Sequence, residues 1–163
     1  MTSSNRRSPD QVREFDAPTK LSESLQQVLM DLIELHLQGK QAHWNLVGTN
    51  FRDLHLQLDV VVDIAREASD TIAERMRALN SVPDGRTDTV VASTTLPSLP
   101  GGEYSTGEVV DLMTNRIYAA VDTMRSVHDD VDEADPSTAD LLHAIIDSLE
   151  KAAWMLKSEN RKV

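Results

Sequence analysis

Between Asn50 and Asn80 the chain has neither proline nor glycine, so nothing there stops a helix once it has begun. Thr49 or Asn50 offers a capping side chain and Asp53 an acid for the first turn; the next break signal is "NSVPDG" at 80–85. A helix of nearly thirty residues is unusually long for a globular protein. The rest of the chain must supply partners for it.

Upstream, Leu25, Val28, Leu29, Leu32, Ile33, Leu35 and Leu37 recur three and four apart. That spacing predicts a first helix from about Leu21 to Asn45, with Gly48 as its stop. Residues 80–104 carry Pro83, Gly85, Pro97, Pro100, Gly101 and Gly102, a connection too long for a hairpin loop. A helical turn fits around "TDTVVAST", and a crossover of this length lets its flanking helices run parallel. "STGE" at 105–108 is a capping box for a third helix through Val109, Leu112, Met113, Ile117, Val121 and Met124 to about Val131. Asp135 as cap and Pro136 at the first helical position open a fourth helix, to about Glu159.

The predicted fold is all-α: a four-helix bundle of the ferritin-like arrangement, with its long crossover between helices 2 and 3. Residues 1–17 lack apolar periodicity and read as a flexible N-terminal tail. Residues 18–159 form the bundle, and 160–163 a short C-terminal tail. A length of 163 residues, 40% of them apolar, suits one domain with a real core, and 4% aromatics disfavour a twisted sheet. No apolar run approaches the roughly 20 residues of a membrane span, and the start has no signal-peptide core. The expected location is the cytoplasm, without membrane contact.

Cysteine is absent, so any metal must sit on histidine and carboxylate. A net charge of -11 attracts cations and repels nucleic acid as a whole. In the second helix His55 and Asp59 are four apart, as are Asp70 and Glu74, and eleven residues separate the pairs, about three turns. All four share one stripe. Yet His55 and Asp70 lie about 22 Å apart along the axis, while a metal ligand must approach to about 2 Å. One chain cannot bring both to one ion.

A second copy can. In an antiparallel pair about a two-fold axis, facing positions have a constant sum, and 55 with 74 and 59 with 70 share that sum. An axis near Ile64 and Ala65 then sets His55 against Glu74 of the mate, and Asp59 against its Asp70. His43, at the end of the first helix, is placed to join His55 and Asp59. Imidazole and carboxylate without thiolate suit Fe(II), Mn(II) or Zn(II). Spacing alone leaves a solvated acidic face as the alternative.

"KQAHWNLVGTNFRDLHLQLD", followed eleven residues later by "DTIAER", resembles the Dps family, the DNA-binding proteins from starved cells, over about residues 20–159. "LEKAAWMLKSE" also looks like that family's closing segment. The resemblance implies an inter-subunit ferroxidase centre: His43, His55 and Asp59 from one subunit, Asp70 and Glu74 from its two-fold mate. It further implies a hollow homo-dodecamer that oxidises Fe(II), preferably with hydrogen peroxide, stores ferric mineral and protects DNA from oxidative damage. Glu-x-x-His, the intra-bundle signature of larger ferritins, does not occur.

Trp44 reads either as an aromatic beside the iron or as core, Trp154 as core, and His36 as an interface hydrogen-bonder. Asp63 and Glu67 are expected to be solvated, and His128 and His143 to be solvated or core. Residues 1–20 carry a net +1 (Arg6, Arg7, Arg13, Lys20 against Asp10, Glu14, Asp16). Residues 157–163 carry +2 (Lys157, Arg161, Lys162 against Glu159). Each tail alone is a weak DNA ligand, although twelve copies would act together. The rival reading is a DNA-compacting nucleoid structural protein with a vestigial metal site.

Overall fold

The computed structural model describes residues 7–162; residues 1–6 and 163, where parts of both expected tails fall, lie outside the described residues. Four long helices make up the bundle: α1 (Thr19–Asn45), α2 (Phe51–Ala78), α4 (Thr106–Ala134) and α5 (Pro136–Glu159). The short α3 (Thr87–Ser93) lies in the crossover, as expected for "TDTVVAST". α1 packs mainly on α2 and α4, and α5 on α4 and α2, so each long helix touches two neighbours around a square. Leu25, Leu32, Leu58, Ile72, Met113 and Leu142 are fully buried at its centre.

Two residues after α1, β1 (Leu46–Val47), pair in parallel with two before α4, β2 (Tyr104–Ser105), Leu46 opposite Tyr104. The end of α1 therefore sits beside the start of α4. α2 also starts there, so α2 and α4 run the same way, which only a crossover the length of the bundle permits. Gly48 makes the α1–α2 turn with φ +126°, a conformation that other residues rarely adopt.

The crossover is anchored by side chains of the helices beneath it. Gln26 donates to the Asp84 carbonyl (2.8 Å) and accepts from the Asp84 N–H (2.9 Å). The Asp31 carboxylate, 1% exposed, accepts from Thr94 Oγ1 (2.9 Å), the Thr95 N–H (2.7 Å), Thr95 Oγ1 (2.6 Å) and Thr123 Oγ1 (2.7 Å). Buried Arg116 donates to Gln38 and to the Ser98 carbonyl. Further upstream, residues 14–17 are held to the end of α2. The Ala17 N–H donates to Leu79 O (3.0 Å), and Asn80 donates to Asp16 (2.9 Å) and Glu14 (3.3 Å).

The capping box of Ser105 and Glu108 forms as predicted. The other two caps differ. Asn50 precedes α2 in a left-handed conformation (φ 62°) and makes no cap bond; its amide donates to Glu159 instead (3.3 Å). Asp135 makes no cap bond either, because its carboxylate takes Arg75 (2.6 Å) and the Thr138 hydroxyl.

Candidate metal centre

His43, in the last turn of α1, and His55, in the second turn of α2, meet across the turn that joins these helices. His43 Nδ1 donates to the His55 carbonyl (2.9 Å), and His55 Nδ1 donates to the His43 carbonyl (3.0 Å). A carbonyl only accepts, so each Nδ1 carries its hydrogen. In the neutral ring, Nε2 then keeps the lone pair that a metal needs. The rings stack with centroids 3.7 Å apart and planes 22° apart, and Phe51 stacks on His55 at 5.1 Å. His43 is buried and His55 half-buried.

Asp59, one turn beyond His55, places Oδ1 3.2 Å from His43 Nδ1. The same oxygen accepts from Lys40 Nζ at 2.6 Å. This hydrogen bond, helped by the charges of His43, Lys40 and His55, holds the Asp59 carboxyl below the usual range despite the opposing effect of desolvation. Three of the five expected ligands are thus together, and the oxygen donor among them is occupied by an ammonium. Lys40 was missed in the sequence; its place one helical turn before His43 was the available signal.

Asp70 and Glu74 are exposed farther along α2, Asp70 about 17 Å from Asp59 along the axis. Asp70 lines a cavity of about 700 Å³ with Asp63, Arg66, Leu29, Ile33 and Pro83. Among the described residues no group of three or more histidines and acids is arranged to hold a metal ion within one chain. His36 is half-buried; burial, then Arg66 and Lys40, lower its pKa against the pull of Asp63. The core reading of Trp154 is corrected: it is 64% exposed, because the apolar face of α5 is already filled by Leu149, Ala153 and Leu156. Trp44 is also on the surface, 68% exposed.

The ferritin-like domain family matches residues 22–163. A DNA protection during starvation protein of Agrobacterium fabrum is 36% identical over 135 residues, covering 82% of this chain and 83% of the relative. The chain belongs to the Dps family. A second Dps relative, DNA protection during starvation protein 2 of Deinococcus radiodurans, is 34% identical over 139 residues, 85% of this chain. The chain spans 58% of that relative's length. The Dps structure from Microbacterium arborescens superposes with a TM-score of 0.81 at 30% identity, covering 89% of this chain and 97% of that one. For a Dps-family chain, the gap on α2 between the histidine cluster and the Asp70–Glu74 pair becomes the central geometric question.

Proposed function

We propose that this Dps-family chain oxidises Fe(II) at two identical sites across a two-fold interface. His43, His55 and Asp59 of one subunit and Asp70 and Glu74 of its mate are the proposed ligands. The observation that carries the reading is the mutual clasp of His43 and His55. Two imidazoles anchored through Nδ1 have little freedom left to lose when a cation binds, and Asp59 adds a carboxylate beside them. Their distance from the acids on the same helix is the gap that a second copy fills.

The substrate is Fe(II), and the expected oxidant is hydrogen peroxide. Two Fe(II) ions each give up one electron, the O–O bond breaks, and two protons complete two waters, so no hydroxyl radical is released. Carboxylate ligands favour the higher charge of Fe(III). The ferric product is proposed to mineralise inside a hollow dodecamer in the cytoplasm. The printed names of the relatives speak of DNA protection, and the Microbacterium arborescens structure was solved in a high iron form. No described helix is long and apolar enough to cross a membrane. Nonspecific DNA binding is proposed for the cations near the two ends of the chain, Arg6, Arg7, Arg13 and Lys20 and then Lys157, Arg161 and Lys162, with strong salt dependence.

The experiment is anaerobic Fe(II) loading followed by a peroxide pulse, read as ferric absorbance on the parent and on His43→Ala/His55→Ala. Rapid oxidation by the parent, lost in a variant that still assembles, supports the ferroxidase. Equal rates overturn it and leave the DNA-compacting structural protein with a vestigial site.

A further inference from the structure

The middle of α2 carries a charge pattern that the proposed iron centre does not use. Asp59, Asp63, Arg66 and Asp70 are spaced four, three and four, which puts them on one stripe of the helix. Asp63 and Arg66 are both exposed, and among the described residues neither makes an ion pair within the chain. They line one side of the cavity of about 700 Å³ whose other walls include Leu29 and Ile33 of α1 and Pro83 of the crossover.

The antiparallel pairing that sets Asp59 against Asp70 of the mate gives these two charges a partner. Positions 63 and 66 share the same constant sum, and at 1.5 Å per residue each lies about 2 Å along α2 from the axis near Ile64 and Ala65. Asp63 of one chain therefore stands level with Arg66 of the mate, and the symmetry repeats the pair. On either side the same register sets Asp59 against Asp70 of the mate, acid against acid. Lys40 screens Asp59 inside its own chain (2.6 Å), whereas Asp70 makes no ion pair among the described residues. Like charges facing across an interface oppose association, and opposite charges fix its register. Of the four residues on the stripe, Arg66 alone is a cation.

We propose that α2 recognises a second copy of this chain through reciprocal Asp63–Arg66 ion pairs across the two-fold axis. The two pairs offset the repulsion between Asp59 and Asp70 of the mate, so empty subunits close in the register at which the iron ligands meet, before any iron arrives. A guanidinium suits the role because it keeps its charge and matches a carboxylate with two parallel N–H donors. This pairing rests on the two-fold register of the proposed ferroxidase and supplies what holds that register while no cation bridges the acids.

Sedimentation velocity of the full, metal-free chain at low ionic strength tests it without any iron chemistry. Asp63→Arg leaves only cations at the centre of the interface and Arg66→Asp only acids, so each variant repels its own copy and should associate about tenfold or more weakly than the parent. Mixed in equal amounts, the two variants are complementary, and association should return. Asp63→Arg/Arg66→Asp in one chain should also associate as the parent does. Both residues are exposed, so circular dichroism should show unchanged helix content in every variant. Single variants that associate as the parent does, or no recovery in the mixture and the double variant, overturn the pairing. The peroxide-pulse assay on the same samples tells the two readings apart. Oxidation by the parent with association indifferent to charge sinks the Asp63–Arg66 pairing alone; charge-dependent association without Fe(II) oxidation by any chain upholds the pairing and sinks the ferroxidase.

Discussion

His43 and His55 each donate Nδ1–H to the other's backbone carbonyl, at 2.9 and 3.0 Å, closing a side-chain clasp over the α1–α2 turn. The contact is both structural and chemical: it joins two helix ends, and it sets which ring nitrogen is left for a cation. A histidine variant will therefore report on both. Glutamine keeps an amide donor for the clasp but lacks the imidazole Nε2, so His55→Gln should retain most thermal stability while losing Fe(II) binding. Anaerobic calorimetry beside a melting curve separates the two effects.

In the proposed ferroxidase, Lys40, which donates to Asp59 Oδ1 at 2.6 Å, would compete with Fe(II) for that carboxylate. The pair is partly open to solvent, with side chains 33% and 38% exposed, so it is worth about 0.2–1 kcal/mol. Lys40→Met should raise anaerobic Fe(II) affinity, by about fivefold at most. A fall in affinity would mean that Lys40 orients Asp59 instead of blocking it.

Asp31 fixes the crossover from within. Asp31→Ala removes four close hydrogen bonds, leaving the exposed Thr95 to turn to water and the buried Thr123 hydroxyl with only the longer bond to the Ala119 carbonyl (3.3 Å) and the contact with Thr95 Oγ1 (3.2 Å). The expected cost is about 2–4 kcal/mol in urea unfolding, measured with the slope held constant. A change below 0.5 kcal/mol, the range of ordinary surface substitutions, would mean that the crossover is held elsewhere.

Arg75 joins the end of α2 to the α4–α5 turn through Asp135 (2.6 Å) and Thr138 (2.8 Å). Burial raises the Asp135 pKa, but the bonds from Thr138 and Arg75 and the charge of Arg75 outweigh it, leaving a net value below the ordinary 3.8. A lowered folded-state pKa gives stabilisation that is present above the unfolded value and disappears as pH falls through the folded one. Stability should therefore decline below about pH 4, and in Arg75→Met this part of the acid limb should flatten.

Long-period features were legible in the sequence because they repeat. Apolar spacing gave the first and third long helices, the lack of proline and glycine between Asn50 and Asn80 gave the second, Asp135 and Pro136 opened the fourth, the proline and glycine cluster gave the crossover, and the Ser105–Glu108 box was a complete local signal. Features set by tertiary competition were not. Asn50 and Asp135 have the right chemistry for caps, yet Glu159 and Arg75 arrive from distant positions and take their side chains. The β1–β2 pair is two residues long in each strand and has no periodicity to read. In the candidate centre, residue types and spacing identified His43, His55 and Asp59 as neighbours. The Lys40 contact and the direction of each Nδ1 depend on rotamers that no spacing encodes.

The central claim is that one site draws on two chains, and a complementation assay addresses it most directly. One chain carries His43→Ala/His55→Ala and the other Asp70→Ala/Glu74→Ala; each is inactive alone, and the two are co-expressed. In a mixed two-fold pair, one site receives both intact halves and the other receives neither. Random pairing should restore roughly a quarter of the parent's peroxide-driven Fe(II) oxidation. No recovery in shells verified to contain both chains, or full activity of the Asp70→Ala/Glu74→Ala chain by itself, would contradict a site shared between subunits.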